Sequence, residues 1–101
     1  MKTRVTLDDQ PLKFIRQQAP ASRRALREAL RAVETANTFP EPLEDPLAGF
    51  YKLKVAGYRM ILQAVPGGSG PGFRVIFAER RNVVYVLFSQ LLGIEQGRSS
   101  P

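Results

Sequence analysis

Apolar and polar positions alternate most cleanly across Gly49-Phe50-Tyr51-Lys52-Leu53-Lys54-Val55-Ala56-Gly57-Tyr58-Arg59-Met60-Ile61-Leu62, and the pattern predicts a β-hairpin. Period 2 puts Tyr51, Leu53 and Val55 on one side of the first strand and Lys52 and Lys54 on the other. Ala56-Gly57 reads as a two-residue turn, with the glycine supplying the positive φ that such turns need. That loop pairs Val55 with Tyr58, Lys54 with Arg59 and Leu53 with Met60. Lys52, Lys54 and Arg59 then converge on one face. Like charges set opposite each other destabilise a sheet, so a chain that keeps them there is suited to holding an anion. A three-residue loop with a bulge would instead shift Arg59 relative to Lys54.

The segments on either side supply the rest of a domain. Thr3 to Leu7 reads as a short strand. Asp8 and Asp9 offer N-cap oxygens, and Pro11 suits the first turn of a helix running to about Gln18. Ala19-Pro20 breaks it. A second helix, from about Ala21 to Thr35, carries Leu26, Ala29, Leu30 and Val33 on one stripe. Arg23, Arg24, Arg27 and Arg31 fall mostly off that stripe, either as a solvated face or as part of an RNA footprint. Three prolines between Asn37 and Ala48 predict a loop without regular structure.

After the hairpin, Pro66 to Gly72 reads as a flexible connection. Phe73, Val75 and Phe77 alternate with Arg74, Ile76 and Ala78, giving an inner strand covered on both faces. Arg80-Arg81-Asn82 ends it. A helix from about Asn82 to Leu92 follows, with Gly93 at its C-cap and a frayed tail over 94–101. The order predicts one α+β domain over residues 1–93, a small and mainly antiparallel sheet with two N-terminal helices packed on it.

Composition narrows the chemistry. The 101 residues include 15 Lys and Arg against 9 Asp and Glu, a formal net charge of +6, which suits a polyanionic partner. There is no cysteine, hence no disulfide framework and no zinc ribbon. There is no histidine, which removes the usual general base, the usual metal ligand and the common nucleophile triads. No apolar run reaches the roughly 20 residues that span a bilayer. The N-terminal residues have no signal-peptide h-region, so a cytoplasmic location without membrane contact is expected.

Two stretches, LAGFYKLKVAGYRMILQAV and FRVIFAERRNVVY, resemble the RelE branch of the RelE/ParE toxin superfamily. The matched motifs run from Leu47 to Tyr85. The resemblance implies the RelE-like fold, a small bacterial toxin that cleaves mRNA in the ribosomal A site, and a cognate antitoxin protein as partner. It implies active-site roles for Lys52, Lys54 and Arg59. It also implies an arginine just after the later strand, which is Arg80 by its spacing to Tyr85, with Arg81 as the additional candidate. Tyr85 resembles a family tyrosine that stacks on a base or helps move a proton. Pro-Glu-Pro-Leu at 40–43 resembles the YoeB-like branch and adds Glu41, although that branch also uses a C-terminal histidine that this chain lacks.

The residue types suffice for RNA cleavage. RNA carries its own nucleophile, the 2′-hydroxyl, so the enzyme must deprotonate it, stabilise the charged phosphorane and protonate the departing 5′-oxygen. Neither metal nor cofactor is needed. Ordinary explanations stand beside these: lysines that deter edge-to-edge aggregation, a half-buried core tyrosine and a solvated loop glutamate. Two rivals remain on the same sequence, a ParE-like toxin acting on DNA gyrase and a basic binding module without catalysis.

Overall fold

The computed structural model describes residues 3–66 and 72–93. Its elements are β1 (Arg4–Leu7), α1 (Asp9–Arg16), α2 (Pro20–Glu34), β2 (Glu41–Pro42), β3 (Tyr51–Val55), β4 (Tyr58–Ala64), β5 (Gly72–Arg80) and α3 (Val84–Leu92). The described strands form one sheet in the order β1-β5-β4-β3-β2. β1 runs parallel to β5, and every other pair is antiparallel. Most of the connection expected over Pro66–Gly72, and the tail at 94–101, lie outside the described residues.

The uninterrupted apolar run Met60-Ile61-Leu62 makes β4 the middle of the sheet, since a strand buried on both faces needs no polar alternation. On one face Leu53, Val55, Met60, Leu62, Val75 and Ala78 pack against Ile15 of α1 and Leu26, Leu30 and Val33 of α2. The opposite face carries a second cluster, in which Ile61 and Phe77 meet Val84 and Phe88 of α3 and Leu47 of the preceding loop. Burying each such side chain contributes about 1.5–3 kcal/mol. The fold is therefore α+β, with α1 and α2 on one face and α3 on the other.

α3 is apolar nearly all round, but only part of it finds the sheet. Val84 and Phe88 are buried, while Val86 and Leu91 are 50% and 68% exposed. Among the described residues no helix is long and apolar enough to cross a membrane.

Two local expectations change. Asp8 stands at the N-cap of α1 but makes no side-chain cap bond there. Its carboxylate instead accepts two hydrogen bonds from Arg74, Nε at 2.8 Å and Nη2 at 2.9 Å. Those bonds, with the guanidinium charge, hold the Asp8 carboxyl below its ordinary range. The loop over 37–48 also contributes a strand. Glu41 pairs with Lys52 and Pro42 with Tyr51, at the sheet edge where proline's missing N–H is tolerated.

Beyond the end of β1, Gln10 of α1 stands in for a strand neighbour. Its Nε2 donates to the Ala78 carbonyl and its Oε1 accepts from the Ala78 N–H, both at 2.8 Å. Gln10→Ala orphans a backbone donor and acceptor together, so it should lower unfolding stability by about 1–3 kcal/mol in urea titration. A change within about 0.5 kcal/mol, the ordinary surface range, would mean that water replaces the amide at no cost.

Candidate active site

The hairpin is built as its alternation predicts. Val55 faces Tyr58, Lys54 faces Arg59 and Leu53 faces Met60. The turn differs in one respect. The residue with positive φ is Ala56, at 51°, and not Gly57. A left-handed non-glycine residue costs about 1–2 kcal/mol. Part of that cost is offset by Arg59, whose Nη1 donates to the Ala56 carbonyl at 3.0 Å and to the Tyr58 carbonyl at 2.7 Å.

The registers define a charged lane on the face opposite α1 and α2. In one row Glu41, Lys52, Ile61 and Phe77 lie side by side across β2, β3, β4 and β5. In the next row Lys54, Arg59 and Glu79 do the same. Glu41 sits between the two lysines, with its Oε1 3.7 Å from Lys52 Nζ and 3.8 Å from Lys54 Nζ. The carboxylate offsets the repulsion that the ladder imposes on the ammonium groups. These pairs are partly exposed and add little to stability. Their effect is to hold three charged groups within one patch.

Glu79 is directly opposite Arg59, yet the described structure shows no ion pair between them. Its Oε2 accepts instead from the Arg80 N–H at 3.1 Å. Arg59 keeps Nε and Nη2 without a hydrogen-bond partner among the described residues. A planar fork with free N–H groups is suited to bidentate binding of phosphate oxygens.

Tyr85, in the first turn of α3, is half-buried against the cluster of Ile61, Phe77, Val84 and Phe88. It is therefore on the same side of the sheet as the lysines and Arg59. Arg80 is not. The β4–β5 register slips by one residue between Ile61 and Leu62, leaving Ile76 as the extra residue of a bulge. Ile76 and Phe77 both join the α3-side cluster, and Ala78 turns to the α1–α2 side. Arg80, paired with Tyr58, follows Ala78 onto that side. Arg81 follows the end of β5, and its N–H donates to the Gly57 carbonyl at 2.8 Å.

Lys52, Lys54, Arg59, Glu41 and Tyr85 thus share one side of the sheet, while the register directs Arg80 to the other and Arg81 stands in the turn beyond β5. Glu79 reaches the lane by its register with Arg59, a position that its place beside two arginines in the sequence does not reveal. Among the described residues no three His, Cys, Asp or Glu side chains come close enough to hold a metal ion.

Solved structures of RelE, RelBE2 and YoeB/ParE toxins share this fold. A free-state mutant of toxin RelE from Escherichia coli superposes with a TM-score of 0.67 at 21% identity, covering 94% of this chain and 100% of that one. The toxin–antitoxin complex RelBE2 of Mycobacterium tuberculosis gives 0.65 at 14% identity, over 80% of this chain and 93% of the other. A YoeB/ParE toxin from Agrobacterium tumefaciens gives 0.57 at 20%, over 78% and 99%. No protein-family model matches the sequence, and no curated protein matches it.

Proposed function

We propose that this chain is the toxin of a bacterial toxin–antitoxin pair, acting in the cytoplasm as a metal-independent endoribonuclease on mRNA at the ribosome. The observation that carries the reading is the hairpin register. It sets Lys54 against Arg59, with Lys52 and Glu41 in the adjacent row, on a sheet face that Tyr85 borders. The solved toxins with this fold support it, as does the net charge of +6.

The chemistry is an in-line transfer within the RNA. The 2′-oxygen forms a bond to phosphorus, and the bond from phosphorus to the 5′-oxygen breaks. Glu41 accepts the 2′-hydroxyl proton, its carboxylate oxygen standing between the two lysine ammonium groups that hold the phosphate. Arg59, Arg81 and the lysines stabilise the charge that builds on the phosphorane. Tyr85 donates the proton to the departing 5′-oxygen, or stacks on a base while water supplies that proton. The exposed apolar flank of α3, Val86 and Leu91, is the surface we assign to the antitoxin.

Expression of the chain alone should therefore stop methionine incorporation before DNA synthesis falters. Purified protein should cut short RNA in EDTA, leaving a 2′,3′-cyclic or 3′-phosphate upstream and a 5′-hydroxyl downstream. A 5′-phosphate on the downstream fragment would identify water as the nucleophile and sink the mechanism. DNA synthesis failing first, with an SOS response and intact translation, would favour the gyrase-directed reading.

A further inference from the structure

The outer face of α2 carries charge that neither the fold nor the candidate site uses. Arg23, Arg24, Arg27 and Arg31 line one shallow groove along the helix with Pro20 and Glu28. Arg23 donates to the Arg16 carbonyl at 3.4 Å. Arg24, Arg27 and Arg31 form no salt bridge among the described residues, although Glu28 lies at helical spacing from Arg24 and Arg31.

A merely solvated helix face has no need of this arrangement, because the arrangement costs stability twice. Arg23, Arg27 and Arg31 are like charges at successive i, i+4 steps, each such pair destabilising a helix by about 0.2–0.5 kcal/mol. Arg23 and Arg24 also crowd the N-terminal turns, where the helix dipole disfavours cations, and no acidic residue stands in the first turn to compensate. The three residues of the stripe recur about 6 Å apart along the axis, at 1.5 Å rise per residue, a step suited to successive phosphates of one strand.

The position of the stripe separates it from the proposed chemistry. α2 covers the sheet face that holds Met60 and Leu62, whereas the charged lane of Lys52, Lys54 and Arg59 lies on the other face. A strand seated on that lane would have to round the edge of the sheet to reach the arginines.

We propose that the α2 stripe is a second, sequence-independent docking surface for the phosphate backbone of duplex RNA, engaging RNA other than the strand being cut. The charge pattern identifies the phosphate ladder. The choice of RNA as its source rests on the ribonuclease reading above.

The test is a binding measurement that needs no cleavage. A fluorescein-labelled RNA duplex is titrated with the full chain, unmodified and carrying Arg23→Gln, Arg27→Gln and Arg31→Gln together. Glutamine is a good helix former, so the variant should fold, and thermal melting verifies this. Affinity should fall by about one order of magnitude or more at low salt. The salt slope should flatten by about one unit per arginine removed. Cleavage of short single-stranded RNA should be unchanged. Equal affinity and slope in the two proteins would overturn the proposal. So would tighter binding to the same-sequence DNA duplex, or poly-glutamate outcompeting RNA, which would assign the stripe to an acidic protein. If neither protein cuts RNA but the duplex results hold, the ribonuclease reading fails and the docking surface stands.

Discussion

Arg59→Ala should reduce single-turnover cleavage of short RNA by on the order of 10²–10³-fold, the usual cost of removing one preorganised donor from a developing oxyanion. Arg59 lies between Lys54 and Glu79 in the second row of the lane, and the residue beside it on β3 is a cation. Its guanidinium is already anchored, because Nη1 donates to the Ala56 and Tyr58 carbonyls. Little rotamer freedom remains to be lost when phosphate binds, so most of the interaction is available to the transition state. Arg59→Lys should recover only part of the loss, since an ammonium keeps the charge but not the fork. Both variants should remain folded at the assay temperature, Arg59→Ala melting somewhat lower because it loses the bonds to the Ala56 and Tyr58 carbonyls. Full cleavage by Arg59→Ala at equal folded fraction would remove this residue from the chemistry.

The second large effect separates neighbours. Arg81→Ala should slow cleavage by about ten- to a hundredfold, as expected for losing a charge-assisted contact of about 1.5–3 kcal/mol. Arg80→Ala should leave it near the parent rate. The bulge at Ile76 produces this asymmetry by turning Arg80 to the side of Tyr58, away from the lane. Single-turnover rates for the two variants decide it. A larger loss at Arg80 would mean that its side chain swings around the end of β5 and that the register is no guide to the site. Equal losses would make both arginines general electrostatic contributors.

The hairpin, both N-terminal helices and the cation pair at the hairpin's centre are legible in the amino-acid order. These follow from interactions between residues close along the chain. A two-residue turn forces its register, so Lys54 meets Arg59 whatever the rest of the fold does. The stripe of Leu26, Leu30 and Val33 likewise declares its buried side through a period of 3.6.

Packing between layers set the side of the sheet to which Arg80 turns and the pairing that brings Glu41 beside the lysines. The sequence alternates evenly through β5, and nothing local marks Ile76 as the residue to bulge. The slip arises because both layers make demands on one strand: α3 and its loop bury Ile61 and Phe77, while α1 and α2 bury Met60 and Ala78. One extra residue reverses the parity of the strand after it, and so turns Arg80 away from the lane. Glu41 was a candidate from its motif, but its pairing beside Lys52 was hidden for a related reason. A proline-rich stretch carries no strand signal, and its two paired residues acquire a partner only when the edge of β3 is presented to them. Positions set by neighbours in the chain could be read from the sequence, whereas those set by the competition of two cores for one strand could not.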